Sequence, residues 1–482
     1  MAAADERRYY SRPDLLPPRI TVAQRPSPPA PVLAHAAASG GAAEAPRDAP
    51  PPSLVFTEIH GGAGQQGPLV IDRLGRLVWF KPVSDHGTTR RRAFNVRLQT
   101  YRGRPLMTWF EGAVVAGHGE GHYELWDQSY RRVKQVHAAD GQIGDLHEFL
   151  LTDRGTALFT CYAQTEGQIP VHKGSGTRRG AYWYGIVQEV DVATGKLLFQ
   201  WRSIDHVEVQ DSYHMPPPPS PKVPWDYFHV NSIAVDPADG NLLISSRNTW
   251  TVYKVDRHSG EVIWRLGGKR SDFEIEGPGR FAFQHHVTLH PGGLLTIFDN
   301  EGGPPYEANQ SRGLVLRLDQ SARRARFIRQ YHHRPAEMSP ALGSVQPLDD
   351  GHMFIGWGDS SWFTEYDAHG GVVLDARLPP GCISYRAFQA PWTGSPRSRP
   401  AVAIKHSATG ARVHVSWNGA TEQRHWRVLA GPRRGKLEPH AVAPVTGFET
   451  VIALRGAPAA WVAVEGLDAG GRVLGRSAPV RA

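Results

Sequence analysis

Cysteine is scarce in this sequence, with only Cys161 and Cys382 among 482 residues. Two cysteines cannot build a disulfide framework, and their separation does not match the CxxC-type spacing of a metal site. Each lies within an apolar stretch. We therefore expect two buried free thiols, with a single bridge as the alternative.

Long apolar runs are also missing, since no stretch reaches the roughly 18 apolar residues of a membrane span. The opening segment, MAAADERRYYSRPD, is charged and is not followed by an apolar run of signal-peptide length. The sequence as given therefore predicts no membrane association and, by default, a cytoplasmic location.

Basic residues are in excess but are not clustered. The formal net charge is +8, yet no run of about five basic residues occurs. This pattern argues against a nucleic-acid partner. A generally basic surface instead favours small anionic molecules.

A helical period is absent, whereas turn residues are plentiful, with 51 Gly and 39 Pro. From Leu54 onward a β-rich run, an Asp, a polar turn and a second β-rich run recur. The turn aspartates lie 48 to 65 residues apart: Asp72, Asp127, Asp191, Asp256, Asp319 and Asp367. A second type of hairpin, such as HEFLLTDRGTALFTCYA, lies between these units.

Two hairpins per unit make a four-stranded blade, so the fold class is all-β and the repeat predicts a six-bladed β-propeller over residues 53–392. Tandem β-sandwiches are the alternative, but their units would run near 90 to 100 residues. The segment CISYRAFQAPW, from Cys382 to Trp392, could supply the strand that closes the ring.

The two ends of the chain differ from the repeats. Residues 1–52 form a Pro/Ala-rich arm and linker, which we expect to be largely disordered, although the arm could lie along the body as an extended strap. Residues 393–482 contain short β-rich runs between turn signals and predict a small fibronectin type III-like β-sandwich. We expect this domain to be a cap or docking module.

Histidines open the inner hairpins of three successive units: His147, His229 and His285. Arg247 ends the return strand of the hairpin that His229 opens, and Asn231 shares the face of His229 by strand alternation. A lone histidine is usually a satisfied polar residue, but recurrence at matching positions predicts one site. Arg247 would repel a cation, so the set favours a tetrahedral oxyanion over a three-histidine zinc site.

The segments carrying these residues resemble a known family. PWDYFHVNSIAVDPADGNLLISSRNTWTVYKVDRHSGEVIWRLGG, FQHHVTLHPGGLLTIFDNEGG and SRGLVLRLD are similar to the arylsulfate sulfotransferase family, in its actinobacterial and fungal branch. The resemblance covers roughly Leu54 to Trp392 and is densest from Trp225 to Asp319. It implies a six-bladed propeller and sulfuryl transfer from a phenolic sulfate ester to a phenol, with no cofactor and no nucleotide sulfate donor.

Site residues follow from the same resemblance. The family's transiently sulfated histidine, which follows a glutamine, falls on His285 after Gln284. The D-x-x-H-x-N-S segment places His229 and Asn231, and S-S-R places Arg247; an upstream channel histidine falls on His147. His286 departs from the family pattern, and by alternation it should point away from His285. The missing signal and disulfide also depart from exported members.

Aromatic residues near the same rims could wall a slot for an aryl group, or they could pack between blades. Trp357 ends a return strand as Arg247 does and is the best candidate for substrate contact, beside Asn231 and Gln284. The full set is Trp109, Tyr162, Trp225, Tyr227, Trp250 and Trp357.

Two other functional classes stay open at this stage. A non-catalytic propeller could bind a protein, a glycan or a small anionic aryl ligand, with the loop from Val207 to Asp226 as its surface. A metal-dependent or lyase-type propeller enzyme would need bound metal. The sequence does not predict an oligomeric state.

Overall fold

The computed structural model describes residues 9–24, 53–83, 91–218, 224–303, 306–307, 309–407, 410–455 and 460–482. Its fold is all-β, with single-turn 3₁₀ helices at Ser203–Asp205, Val209–Asp211, Gly277–Gly279, Pro291–Gly293 and Gly358–Ser360. Within these ranges no helix is long and apolar enough to cross a membrane.

In the described residues six four-stranded antiparallel units follow one another; units 2 to 6 are each built of two hairpins, whereas unit 1 combines one hairpin and two strands from opposite ends of the ring. The strands are given from the innermost outward. Unit 1 consists of Ala387–Pro391, Ser53–Gly61, Gly67–Ile71 and Leu77–Phe80, and unit 2 consists of Arg92–Tyr101, Arg104–Val115, His118–Trp126 and Arg132–Val136. Unit 3 consists of Gly144–Leu151, Thr156–Pro170, Thr177–Asp191 and Leu197–Arg202. Unit 4 consists of Val230–Val235, Leu242–Ser246, Thr251–Val255 and Val262–Gly267, and unit 5 consists of His285–His290, Leu294–Asp299, Arg312–Asp319 and Arg324–Tyr331. Unit 6 consists of Ser344–Pro347, Met353–Gly356, Trp362–Tyr366 and Val372–Arg377.

The innermost strands contact one another in a closed cycle, from unit 1 through unit 6 and back. Unit 1 is completed from both ends of the ring, because Ala387–Pro391 pairs with Ser53–Gly61. The strand predicted between Cys382 and Trp392 therefore closes the ring. Antiparallel sheets repeated around a central axis in this way form a β-propeller, which leaves only short exposed edges.

The six turn aspartates lie between the third and fourth strands of successive units. In each turn one carboxylate oxygen accepts backbone N–H groups within the next four residues, as Asp72 does from Leu74 and Arg76 and Asp367 does from His369 and Gly371. These aspartates act as turn caps because a short carboxylate can replace the missing backbone acceptor. The repeat read from the sequence is thus a repeat of turn chemistry.

Minor strands extend the units. Trp225–Asp226 runs parallel to the third strand of unit 3, Glu274–Ile275 lies on the outer edge of unit 5, and Cys382–Ile383 pairs with the end of Ser53–Gly61. Units 2 and 3 share one ladder through a single residue pair, Gly121 and Gly144. A two-residue ladder joins Gly302–Gly303 to Tyr306–Glu307.

The N-terminal arm is ordered over residues 9–24. Thr21–Gln24 adds a fifth, antiparallel strand to unit 6, and Leu15 is buried in the core between units 1 and 6. The expected disorder therefore does not extend to this part, because its apolar side chains pack as the alternative strap would. Residues 1–8 and 25–52 of the predicted arm and linker lie outside the described residues.

The C-terminal residues form two packed sheets around their own apolar core, which includes Val415, Trp426 and Val464. One sheet has the order Ala401–Ser407, Gly410–Ser416, Glu449–Arg455; the other has Lys436–Pro444, His425–Arg433, Trp461–Leu467, Val473–Arg476, with Val480–Arg481 also pairing to Trp461–Leu467.

Backbone contacts attach the C-terminal sheets to the ring. The Asn418 amide both accepts from and donates to the backbone of Phe80, at 3.0 and 2.9 Å, and the Tyr130 hydroxyl donates to the Gly419 carbonyl. Both cysteines are buried free thiols, as expected.

His60, on the second strand of unit 1, is a source of acid sensitivity. Its ring is fully buried against Phe94, and neither nitrogen has a hydrogen-bond partner among the described residues. Burial, followed by the charge of Arg92, lowers the pKa of His60 from 6.5 to about 3. Between these pH values the folded protein binds fewer protons at His60 than the unfolded chain does. The contribution of neutral His60 to stability is therefore fully present above pH 6.5 and is lost as the pH decreases.

We expect His60→Phe to reduce this acid sensitivity, because the phenyl ring keeps the stacking and removes the titrating group. At pH 5 the variant should gain about 2 kcal/mol in the free energy of unfolding relative to its gain at pH 7.5. Urea denaturation at a series of pH values measures the difference. The exposed His369→Phe serves as the control, and equal pH slopes for His60→Phe and the wild type would refute the assignment.

Candidate active site

The three predicted histidines lie at the beginning of adjacent inner strands. His147 is within Gly144–Leu151, His229 immediately precedes Val230–Val235, and His285 opens His285–His290. The backbone N–H of Arg247 donates to the His229 carbonyl at 3.0 Å. His229 and Arg247 therefore lie side by side at the end of one hairpin, as the sequence spacing predicts.

Irregular backbone marks these strand beginnings. The register shifts between Val230 and Ser232 and between His285 and Thr288, and His229 and His286 have φ values of 54° and 46°. Non-glycine residues rarely adopt positive φ, and bulges of this kind re-aim side chains next to active sites. Strict alternation consequently does not decide which side chains face the channel here.

His285 is held as a neutral imidazole with one free lone pair. Its Nδ1 lies 2.7 Å from Asn300 Oδ1, while Asn300 Nδ2 donates to the carbonyls of Ser339 and Leu342. The amide oxygen must therefore be the acceptor, so Nδ1 carries the proton and Nε2 is unprotonated. Burial, and then the charge of Arg247, places the pKa of His285 well below 6.5.

His229 shares a carboxylate with a second histidine. Asp226 Oδ2 accepts from His229 Nδ1 and, at 2.9 Å, from His118 Nε2. Burial lowers the pKa of His229 to about 3 despite Asp226. Burial also disfavours charge on His118, but the hydrogen bond and charge of Asp226 raise the pKa of His118 above 6.5. Of the two rings, His118 is thus the one whose positively charged, doubly protonated form is favoured.

His147 repeats the pattern of His229. Its Nδ1 and its backbone N–H both donate to Asp145 Oδ2, at 2.7 and 2.9 Å. Burial opposes the charge on Asp145, but the neighbouring His147 lowers the pKa of that carboxyl to about 2. The rings of His147 and His229 meet edge to face with centroids 4.7 Å apart. With Nδ1 tied to a carboxylate, each ring presents Nε2 for chemistry.

Arg247 brings a partly buried guanidinium without a carboxylate partner. Nη1 donates to Asn248 Oδ1 at 3.0 Å, and the group lies over the Phe283 ring at 5.1 Å. Its Nε is buried without a hydrogen bond, and within the described chain no carboxylate lies within ion-pair distance. A desolvated guanidinium with unused donors attracts an anion, and its planar fork suits tetrahedral oxyanions.

The predicted substrate contacts lie elsewhere or act indirectly. The indole of Trp357 is fully buried between units 5 and 6, where Nε1 donates to Thr364 Oγ1, so the structure does not bring it to the histidines. Gln284 donates to Ser245 Oγ and the Ser246 carbonyl and joins units 4 and 5. Both side chains thus have structural contacts, while Gln284 Oε1 is buried without a partner among the described residues; their contact with substrate stays a prediction.

Asn231 stays beside the site. Its Nδ2 donates at 2.7 Å to the backbone carbonyl of Gln284, the residue before His285. Its Oδ1 is buried and unpartnered among the described residues. A buried orphan acceptor next to the nucleophile candidate is suited to a substrate hydroxyl.

His286 points away from the site, as predicted. Its Nδ1 accepts from the Val345 N–H, and its ring packs on Phe388. Of the six candidate aromatics, only Tyr162 joins the histidines, with its ring stacked on His118 at 4.0 Å.

Residue-level reading of the sequence missed several members of the site. Asp226 and Asp145 lie three and two residues before their histidines, and Asn300 lies within FDNEGG, so local spacing could have found them. His118 and Trp183 gave no such signal. They lie on the long hairpins of units 2 and 3, with ring centroids 4.4 Å apart, and only the packing of those hairpins brings them to His229.

One part of the site has donors for a cation. The ligand atoms of His118, Asp226 and His229 lie within 4.8 Å of one another and could hold a metal ion. In this structure both imidazoles donate hydrogen bonds to the shared carboxylate instead. Asp350, His352 and Glu365 form a second such group on unit 6.

Sequence comparison identifies one family. The family described as arylsulfotransferase (ASST) matches residues 97–378, which contain every predicted site residue. No curated protein matches the chain.

Several solved structures align with the chain at low identity. A protein of unknown function from Bacteroides caccae aligns at 12% identity over 70% of this chain and 98% of its own, with a TM-score of 0.41. Virginiamycin B lyase from Staphylococcus aureus aligns at 10% identity over 78% and 91%, with a TM-score of 0.31. Regucalcin, a calcium-binding protein from Agrobacterium tumefaciens, aligns at 12% identity over 68% and 82%, with a TM-score of 0.33.

Proposed function

Because the chain belongs to the arylsulfotransferase family, we propose that it moves a sulfuryl group from a phenolic sulfate ester to a phenol through a sulfated His285. The observation that carries this proposal is the state of His285. Asn300 fixes its proton on Nδ1, burial keeps the ring neutral, and Nε2 is left as a nucleophile.

In the first half-reaction, Nε2 of His285 attacks sulfur in line as the bond from sulfur to the aryl oxygen breaks. Arg247 holds the sulfuryl oxygens, joined by His229 when its ring takes a second proton, on Nε2, in the presence of the bound anion. Sulfuryl transfer has a loose transition state, so positioning and charge stabilisation supply most of the acceleration. The departing phenolate takes the Nε2 proton of His147 or His229; this step needs the doubly protonated ring, because each Nδ1 proton is held by a carboxylate, and the bound sulfate anion favours that form.

In the second half-reaction, the acceptor phenol loses its proton to the same imidazole and its oxygen attacks sulfur. The bond from sulfur to His285 then breaks, and the neutral imidazole is restored. Asn231 Oδ1 is available to accept from the incoming hydroxyl. A covalent intermediate shared by two half-reactions predicts ping-pong kinetics.

The proposed architecture follows the same lines. The six four-stranded units would be the blades of one six-bladed propeller over residues 53–392. The strand orders of the C-terminal sheets, with strands one, two and five in one and four, three, six and seven in the other, suit a fibronectin type III-like sandwich over residues 393–482.

The test is direct. The protein is incubated with 4-nitrophenyl sulfate and phenol, and both nitrophenol release and phenyl sulfate formation are followed at several concentrations of each. Parallel initial-rate lines support the ping-pong scheme. Absence of release across several aryl sulfates would favour the alternative, a non-catalytic module that binds a protein, a glycan or an anionic aryl ligand. Elemental analysis for zinc tests the cation-binding group.

Asp226 is expected to act as a positioning residue. We predict that Asp226→Asn lowers kcat about 10- to 100-fold with little change in KM, because one carboxylate oxygen accepts from both imidazoles and the other accepts from the His229 backbone N–H, whereas an amide has one oxygen and no charge, so His229 loses its fixed position. The pH dependence of kcat should also change, since Asp226 sustains the proton on His118. Asp367→Asn, the same change in an exposed turn, is the control; an unchanged pH profile would contradict the assigned role.

A further inference from the structure

A cavity of about 500 Å³, the axial cavity, lies in the channel apart from the histidine site. The innermost strand of every unit contributes to its wall, and none of the residues around it is His147, His229, His285 or Arg247. One lining residue from each of units 1 to 6 is Phe388, Leu98, Leu150, Ile233, His286 and Val345.

A polar layer separates this cavity from the active site. Arg386 is fully buried; its Nη1 donates to Glu148 Oε2 at 3.0 Å, and its Nη2 donates to the Asn231 carbonyl at 3.0 Å. Glu148 and His286 directly follow His147 and His285 in sequence. Consecutive residues on the inner strands thus face different compartments, with the cavity on the far side of this layer.

The walls of the cavity are mostly apolar, and His286 presents an unused hydrogen-bond donor. His286 Nδ1 accepts from the Val345 N–H, so the neutral ring carries its proton on Nε2. Among the described residues no acceptor for this Nε2–H is found. Burial, and then Arg386, keeps the pKa of His286 well below 6.5, so the ring stays neutral.

The charged groups at the inner wall are balanced by neighbouring charges. Arg97 and Arg386 share Glu148, and the charge of Glu58 also acts on Arg386. Arg257 binds Glu189 through two hydrogen bonds of 2.8 and 2.6 Å. Asp153 is exposed at the mouth. A ligand therefore has no uncompensated charge to neutralise, and an ionic ligand would lose hydration without gaining a partner.

We propose that this cavity binds an uncharged, mostly apolar molecule that carries an oxygen acceptor, with His286 Nε2–H as its hydrogen-bond donor. The volume is within the range of small-molecule sites, and an apolar pocket with one placed donor is typical of them. The site is distinct from the sulfuryl-transfer site and does not depend on that activity.

Prodan, an uncharged naphthyl ketone whose emission shifts to the blue in apolar surroundings, is a suitable probe. It has no hydroxyl group and no sulfate ester, so it is neither an acceptor nor a donor in the proposed reaction. We expect saturable binding of one molecule per chain. Ile233→Trp should fill the cavity and weaken binding at least about 10-fold, whereas Val442→Trp on the exposed edge of the C-terminal sheet should not.

The role of His286 as the hydrogen-bond donor is tested separately. The same naphthalene without the ketone should bind the wild type about 5-fold more weakly than prodan, as expected for one lost hydrogen bond, and this difference should vanish in His286→Phe. Thermal unfolding of each variant verifies that it is folded. Non-saturable emission, binding unaffected by Ile233→Trp, or binding abolished by His285→Ala would overturn the proposal.

Discussion

Replacing His285 by alanine is expected to lower nitrophenol release from 4-nitrophenyl sulfate by about 10⁴-fold or more, because the covalent route is removed with its nucleophile. The surroundings of this ring keep it neutral and fix its proton. Burial and Arg247 lower its pKa, and Asn300 accepts its Nδ1 proton. No other histidine in the site combines a neutral ring with a neutral hydrogen-bond partner.

The intermediate makes this prediction sharper. When the wild type is mixed with donor and no acceptor, then quenched at alkaline pH, the intact mass should rise by one SO₃ group, and peptide mapping should place that group on His285. His285→Ala should show no increase. His290→Ala, on the same strand, is the matched control, because His290 borders the axial cavity and bonds to Thr296. A sulfated His147 or His229 would transfer the nucleophile role.

Replacing Arg247 by lysine is expected to reduce kcat about 10²- to 10³-fold while the protein stays folded. Lysine keeps the charge but loses the planar fork that can hold two sulfuryl oxygens at once. Arg247 makes few bonds that stabilise the fold: its side chain donates to Asn248 and, at 3.4 Å, to the Pro340 carbonyl. Its guanidinium is therefore available to bind substrate.

The readout for Arg247 separates binding from chemistry. Loss of transition-state stabilisation lowers kcat and kcat/KM together, whereas loss of ground-state binding alone raises KM. Arg317→Lys is the control, since Arg317 is exposed on unit 5 and donates only to the Gly292 carbonyl. If Arg247→Lys changes KM alone, the guanidinium binds the donor without stabilising its transition state.

The predicted site residues fall into two groups for a physical reason. His147, His229, Arg247 and His285 lie at the ends of repeated hairpins, and the structure brings them to one end of the channel because a repeat converts sequence position into radial position. Gln284 and Trp357 were predicted by adjacency and by analogy of strand ends. Their side chains instead satisfy local needs, a hydrogen-bond link between units 4 and 5 and a core contact between units 5 and 6.

The sequence by itself determined the all-β class, the six repeated turns and the strand after Cys382 that closes the ring, because turn caps and hairpin alternation are local properties. Only the tertiary structure decided that His118 joins Asp226 and His229, since His118 lies 108 residues before Asp226 and meets it through two long hairpins. It also decided the proton position on His285, because the Asn300 amide that accepts this proton is oriented by the carbonyls of Ser339 and Leu342, and it decided the separation of the channel into two compartments. These features depend on contacts between segments far apart in sequence, and no local pattern specifies them.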